Sequence, residues 1–387
     1  MGCVDAVFDP VIGRRVAIKT LRDEYRDDQD VLAKFAEEAR VTGQLEHPNV
    51  VPVYDLGESG HEPFMVMQLV QGKSLMQLLK PDEIPTTSSE ATSLLRRFVE
   101  ILLSLCDALS FAHSRGVVHC DLKPDNVMVG EHGQVYLMDW GVAATDRSRQ
   151  GFGGTAAYMA PEQLLGRAED VDARTDVFGL GGVLYEILTG APPNDGSNMI
   201  AAARGERTLG FIPGKLWSQL PPELCRIAHK ALAPKREDRY QSVAELRADL
   251  QQFLRGGGWF DTLRVAPGDA IVSEGEPGDC AYIIQSGSCD VYKTLQGERV
   301  LLRRLGPGDV FGETAVFSGG LRTATIVAAE EVTLKVVTGD ALNRELDLNP
   351  TLAAFVRSLT NLFKETDAAL AARGGHVSSV RPPGSNR

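Results

Sequence analysis

The chain has 387 residues, 43% hydrophobic and 24% charged, with 40 basic against 52 acidic side chains and a formal net charge of −12. That length allows two or three separate cores, and the acidic balance argues against nucleic acid or an anionic membrane as a main partner, because phosphate surfaces select for Lys/Arg excess. The six cysteines form no CxxC pair and no Cys/His cluster, no apolar run approaches membrane-spanning length, and no signal-peptide pattern opens the chain; a soluble cytoplasmic protein with reduced thiols is expected.

Residues 1 to about 70 read as strands with one amphipathic helix near 28–43. Over residues 93–115, Leu94, Phe98, Ile101, Leu105, Leu109 and Ala112 fall on one stripe, and Gly116 is a natural stop. That spacing predicts a long core helix. Helical segments continue to about Leu254, and Arg255 with the Gly256–Gly258 run marks a joint. Beyond it, Gly278, Gly287, Gly297, Gly308 and Gly319 recur every nine to eleven residues between alternating runs such as AYII and DVYK. Turns at that interval predict an antiparallel sandwich or barrel. Helix returns over 338–373, and the tail from Gly374 has too little to bury to be ordered. The expected division is therefore 1–255, the joint 256–258, 259–373, and a disordered tail 374–387.

Chemistry enters at residues 126–141, NVMVGEHGQVYLMDWG, two β-rich runs around a Gly-bounded turn. With the turn centred between His132 and Gly133, a regular hairpin would place Asn126 opposite Asp139, about 4.5–5.5 Å apart at Cα. An amide and a carboxylate so placed suit Mg²⁺, which prefers a few hard oxygens plus substrate phosphate. Just upstream, Asp121 suits a base for a hydroxyl proton and Lys123 a cation for a transferring phosphoryl group. One carboxylate in a turn is ordinarily a cap; four such groups at this spacing point to phosphoryl transfer.

On these residues the first 254 positions resemble a eukaryotic-type Ser/Thr protein kinase domain, as found in bacteria. HCDLKPDN matches the catalytic loop, which implies Asp121 as base, Lys123 at the γ-phosphate and Asn126 on metal. Asp139-Trp-Gly matches the metal-binding DFG element, and GTAAYMAPE, Gly154–Glu162, the substrate-side loop, with Thr155 expected beside Asp121 and Lys123 and a simple phosphosite as its plain alternative. VAIK implies Ala17 and Lys19 at ATP, with Glu38 as ion-pair partner of Lys19. Met67 falls at the gatekeeper position and Gln68–Val70 at the adenine hinge. Asp176 and Arg239 match large-lobe anchors, Arg239 as partner of Glu162. The resemblance implies ATP and Mg²⁺ as cofactors and protein substrates bearing Ser or Thr.

Two departures stand out. The family's GxGxxGxV loop is matched only by Gly2 and Val4, so the small lobe is expected to lack its first strand; a start assigned too far downstream is favoured over true loss. Cys120 replaces the Arg that receives an activation-loop phosphate, which removes that charge-assisted route to ordering the segment bearing Thr145 and Ser148. A redox switch at Cys120 is weighed below a buried small hydrophobe. Trp140 is expected to pack under the helix that carries Glu38.

A second constellation lies in residues 311–326, FGETAVFSGGLRTATI. Gly312 permits close backbone approach, Thr314 and Ala315 would open a short helix with N–H groups toward an anion, Arg322 can pair with phosphate oxygens, and Glu313 can accept a ribose hydroxyl. A buried Glu–Arg pair is the plain alternative. Residues of about 259–345 resemble the cyclic nucleotide-binding domain, an eight-stranded jelly roll, with Thr323 and Ala324 completing its phosphate cassette. Thr323 suits guanine or merely a small position, so cAMP against cGMP stays open. Leu352, Phe355, Val356 and Leu359 are candidates for a lid or for packing.

The fold class expected is thus α+β: a bilobal kinase fold followed by an all-β jelly roll with C-terminal helices. The leading function is a Ser/Thr kinase regulated in cis by cyclic nucleotide. The alternative is a weak or inactive pseudokinase scaffold that senses the nucleotide, and oxidation sensing through Cys280 and Cys289 is a remote third.

Overall fold

The computed structural model describes residues 2–60, 62–80, 84–145, 155–194, 206, 210–295, 298–313, 321–348, 353–356 and 358. They fall into two compact units, Met1–Arg255 and Gly256–Arg387. Among the described residues no helix is long and apolar enough to cross a membrane.

The first unit opens with an antiparallel sheet of β1 (Gly2–Asp9), β2 (Arg14–Leu21), β3 (Val53–Ser59) and β4 (Glu62–Gln68), in the order β1-β2-β4-β3. Helix α1, Gln29–Gln44, starts at Asp28, whose carboxylate accepts from the Asp30 and Val31 amides; such a cap satisfies donors that a helix start leaves open. Its apolar stripe, Val31, Phe35 and Ala39, packs on Ala17, Leu21, Val51, Met65 and Met67 of the sheet and its flanks. β1 is an edge strand and exposes most of its side chains.

The larger part is mainly helical. Short β5 (Gly72–Ser74) and α2 (Leu75–Leu78) lead to α3, Ser88–Ser114, with a reciprocal cap between Thr87 and Glu90. The apolar stripe alone puts the helix start near residue 93; the T-x-x-E capping box moves it five residues earlier. Phe98, Ile101, Leu105, Leu109 and Ala112 are buried as expected, while Leu94 is half-buried. Strands β6 (Val117–Val118), β7 (Val127–Gly130), β8 (Val135–Leu137) and β9 (Ala144–Thr145) follow. Next come α4 (Pro161–Leu164), α5 (Ala173–Thr189), α6 (Pro222–Ala231) and α7 (Val243–Arg255). Nearly every side chain of α5 is buried, so it is the helix around which this part is built.

The second unit holds, among the described residues, eight strands: β10 (Asp261–Val265), β11 (Ala270–Val272), β12 (Cys280–Ser286), β13 (Cys289–Leu295), β14 (Glu298–Leu305), β15 (Val310–Phe311), β16 (Thr325–Ala328) and β17 (Val332–Thr338). They form two four-stranded sheets, β10-β17-β12-β15 and β11-β16-β13-β14, the layers of a jelly roll. Val265, Val272, Ile284, Val291, Phe311, Ile326 and Leu334 fill the space between. At Gly287, φ is 79°, and a Cβ would stand 2.3 Å from the Glu331 carbonyl; only glycine turns there. Gly297 and Gly319 lie outside the described residues. Helix α8, Gly339–Leu348, follows β17.

Cys280 and Cys289 are not strand neighbours. They sit on β12 and β13, which belong to opposite sheets. Both are buried, and burial pushes the Cys289 thiol up to about 11, so the geometry does not support an oxidation-sensing pair. Of the lid candidates, Phe355 is exposed, Val356 is half-buried, and Leu352 and Leu359 lie outside the described residues.

Candidate functional site

The turn joining β7 and β8 decides how the catalytic candidates meet. Val127 pairs with Leu137 and Val129 with Val135. Gly130 N donates to Gln134 O (2.8 Å) and Gly133 takes φ 84°. The loop is therefore three residues centred on His132, a length that places its last residue in the left-handed region. The equal-spacing argument is off by one: Asn126 stands opposite Met138, whose amide donates to the Asn126 carbonyl at 2.8 Å. Asp139 follows with φ 60°, leaves the strand, and brings its carboxylate within 3.6 Å of Lys19 Nζ.

Asp121, 6% exposed, is the centre of a tight polar cluster. Lys123 Nζ donates to Asp121 Oδ2 (2.8 Å) and to Thr155 Oγ1 (2.7 Å). Thr155 N donates to Asp121 Oδ1 (2.7 Å). Asn126 Nδ2 donates to the Asp121 carbonyl (2.9 Å) and to Oδ2 (3.2 Å). Two residues of the same loop, Lys123 and Asn126, and one 34 positions away, Thr155, thus orient one carboxylate. The loop beneath is anchored by Asp176 of α5, which accepts from the amides of His119 and Cys120, both at 2.9 Å. Burial works against the Asp176 charge, but the His113 hydrogen bond (2.7 Å) and the loop donors hold its carboxyl below the usual range.

On β2, Lys19 reaches Glu38 of α1 at 2.5 Å. Burial opposes the Lys19 charge, yet Glu38 and Asp139 hold its ammonium above the ordinary value. Burial in turn lifts the Glu38 carboxyl. A cleft beside this pair is lined by Gly2, Val4, Lys19, Met67, Met128 and Asp139. Ala17 is buried in the strand register opposite Met67. Gln68 donates its amide to Pro52 O (3.0 Å) and its Nε2 to Tyr136 Oη (3.0 Å), and Val70 packs at the rim of the small core. Met128 was not singled out from sequence, although its place on β7, two residues after Asn126, was the available signal.

Trp140 is 1% exposed, edge-on to His119 with ring centroids 4.6 Å apart, and borders the same cleft as Glu38. Cys120 is buried, and desolvation drives its thiol far up; a protonated thiol there is a poor nucleophile. Glu162 of α4 meets Arg239 in a bidentate pair, Nη1–Oε1 and Nη2–Oε2 both 2.9 Å, and accepts from Thr175 Oγ1 (2.9 Å). Ser148 lies outside the described residues, as does the Thr145 side chain.

In the second unit, Arg322 is 8% exposed and held by carbonyls, donating from Nη1 to Cys280 O (2.8 Å) and Gly312 O (3.2 Å). A Cβ at Gly278 or at Gly312 would lie 2.4 Å from its guanidinium. Two glycines therefore make room for a buried cation, a role for Gly278 that its place in a PGD turn concealed. Glu313 and Thr323 are exposed and Ala324 packs against the barrel core. Glu313 is no partner of Arg322 among the described contacts, so the Glu–Arg ion pair is not formed. Thr314 and Ala315 lie outside the described residues.

The protein kinase domain model matches residues 1–249, and the chain belongs to the protein kinase family. A cyclic nucleotide-binding domain follows, matched over residues 262–349. The chain is similar to the serine/threonine-protein kinase PknB of Mycolicibacterium smegmatis, 39% identical over 271 residues that span 66% of this chain and 41% of that one. It is also similar to the probable PknB of Bifidobacterium longum, 35% identical over 274 residues, 66% and 38% of the two chains. A third relative, PknD of Chlamydia muridarum, is 33% identical over 286 residues, 66% and 30%. The chain thus spans less than half the length of these curated relatives.

Proposed function

We propose that this chain is an ATP- and Mg²⁺-dependent protein Ser/Thr kinase whose output is set by a cyclic nucleotide bound to its second unit. The observation that carries the first half is the Asp121 carboxylate, buried and aimed by Lys123, Thr155 and Asn126. In this reading a Ser or Thr hydroxyl gives its proton to Asp121 as its oxygen bonds to the γ-phosphorus, and ADP departs. Lys123 neutralises the transferring group. Lys19, fixed by Glu38, holds the α/β-phosphates, while Gly2, Val4, Ala17, Met67, Gln68 and Val70 border the adenine and phosphates. Asn126, its amide nitrogen committed to Asp121, presents a carbonyl oxygen, and Asp139 a carboxylate; these hard oxygens fit Mg²⁺. The ion would supply charge neutralisation for the phosphate oxygens.

The direct test is transfer of labelled γ-phosphate from ATP to Ser/Thr protein substrates. Binding of ATP with no transfer would favour the scaffold reading instead. A pH effect follows from Glu38. Its raised carboxyl takes up a proton at higher pH than a solvated Glu, near 4.3, and Lys19 then loses its ionic partner. The KM for ATP should therefore rise on the acid limb while ordinary carboxylates are still charged; a KM flat down to that range would contradict the role of the pair.

For the second half, the support is Arg322, a buried guanidinium in a glycine-lined recess beside Gly312. It would pair with the cyclic phosphate, with Glu313 on the ribose and Thr314, Ala315, Thr323 and Ala324 completing the cassette. Calorimetric titration with cAMP and cGMP is expected to show binding by the full chain and, for Arg322→Ala, a loss of about 100-fold, as for a charge-assisted bidentate contact of roughly 3 kcal/mol. Equal affinity in both proteins would remove the sensor reading.

A further inference from the structure

Cys120 offers no cation to a phosphorylated segment, yet its main chain is gripped from two sides. Its φ of 67° is in the left-handed region, one of two such non-glycine residues among those described. That conformation costs about 1–2 kcal/mol for an ordinary residue, so neighbours must impose it. Asp176 takes the Cys120 amide. The Cys120 carbonyl accepts from Gln163 Nε2 at 2.7 Å, a contact 43 residues away in sequence. The same carboxamide accepts from Ala160 N through Oε1 at 3.0 Å. Gln163 is 8% exposed, so water does not readily replace either bond.

The Cys120 carbonyl and the Asp121 amide belong to one rigid peptide plane. Gln163 holds the oxygen of that plane, and His119 Nδ1 accepts the N–H at 3.2 Å. Turning the plane turns the Cα that carries the base. The other end of the tie is α4, whose chain reaches back to Thr155, the residue donating to Asp121. We infer that Gln163 is a positioning residue, coupling the end of the substrate-side loop to the peptide plane of Asp121 through the Cys120 carbonyl and thereby ordering the site without a phosphate–arginine contact. The inference rests on the kinase reading above for its effect on rate, and on hydrogen-bond geometry alone for the coupling.

The job needs a donor and an acceptor on one side chain, which a carboxamide has and Met or an ionised Glu lacks. In the full chain, Gln163→Met keeps the volume and removes both bonds; Gln163→Glu keeps an acceptor for Ala160 N and puts a carboxylate oxygen against the Cys120 carbonyl. Both variants are expected to lower kcat about tenfold, as for a base displaced by a fraction of an ångström, with the KM for ATP unchanged. Mass-spectrometric hydrogen exchange should quicken in the peptides covering Asp121 and Thr155 and stay unchanged in α5. A residue that only stabilises the fold would lower the melting temperature and leave kcat per folded molecule intact, which would overturn the inference. If the natural chain transfers no phosphate, the kinase reading falls, and exchange still decides: unaltered exchange at Asp121 and Thr155 in Gln163→Met sinks the coupling, faster exchange there upholds it.

Discussion

Replacing Asp121 by Ala is expected to cut phosphate transfer by at least about 10³-fold while leaving the KM for ATP near its natural value. A positioned general base alone is worth roughly 10²–10⁴ in rate. Asp121 also accepts from Lys123, Thr155 and Asn126, so its loss frees the Lys123 ammonium and the Thr155 backbone together. The cleft around Lys19 and Met67 does not depend on the Asp121 side chain, which is why nucleotide binding should persist. Steady-state kinetics on one peptide substrate reads both quantities. Transfer within fivefold of the natural rate would show that the carboxylate is not the base.

Arg239→Met is expected to destabilise the first unit by about 3–5 kcal/mol, the cost of leaving a buried charge without its partner. Arg239 is fully buried and Glu162 nearly so. Besides Glu162, the guanidinium donates to the carbonyls of Ala233, Pro234 and Arg174, at 2.8, 3.2 and 3.1 Å, and lies over the Phe178 ring. One side chain therefore ties α4, α5 and the segment before α7. With about 2–4 °C per kcal/mol in a unit of this size, the melting temperature should fall by roughly 6–20 °C. Glu162→Met combined with Arg239→Met should recover part of the loss, because no unpaired charge remains. A double variant as unstable as the sum of the singles would mean that the pair itself carries little of the effect.

The grouping of the first candidate site was legible because its residues lie in short runs. Asp121, Lys123 and Asn126 sit within one loop, and the carboxylate at Asp139 follows a single hairpin, so local spacing carries most of the constellation. The hairpin also shows where such reading slips. Gly133 takes the left-handed position of a three-residue loop, and that one residue shifts Asn126 from Asp139 to Met138. Composition does not distinguish loops that differ by one residue, whereas the ladder of hydrogen bonds does. The start of α3 was misplaced for a different reason: its apolar stripe begins later than its cap.

Sequence alone determined the two kinds of architecture, the helix stripes and glycine-punctuated strands behind them, and the residue types able to move a phosphoryl group or hold a cyclic phosphate. Only the packed chain decided that Cys280 and Cys289 face different sheets, that Arg322 lies in a recess cleared by Gly278 and Gly312, and that Gln163 grips the Cys120 carbonyl. The bonds from Arg322 to the Cys280 carbonyl and from Gln163 to the Cys120 carbonyl join groups 42 and 43 residues apart. Their existence depends on how buried polar atoms find partners once water is excluded, and that is settled by three-dimensional packing rather than by local pattern.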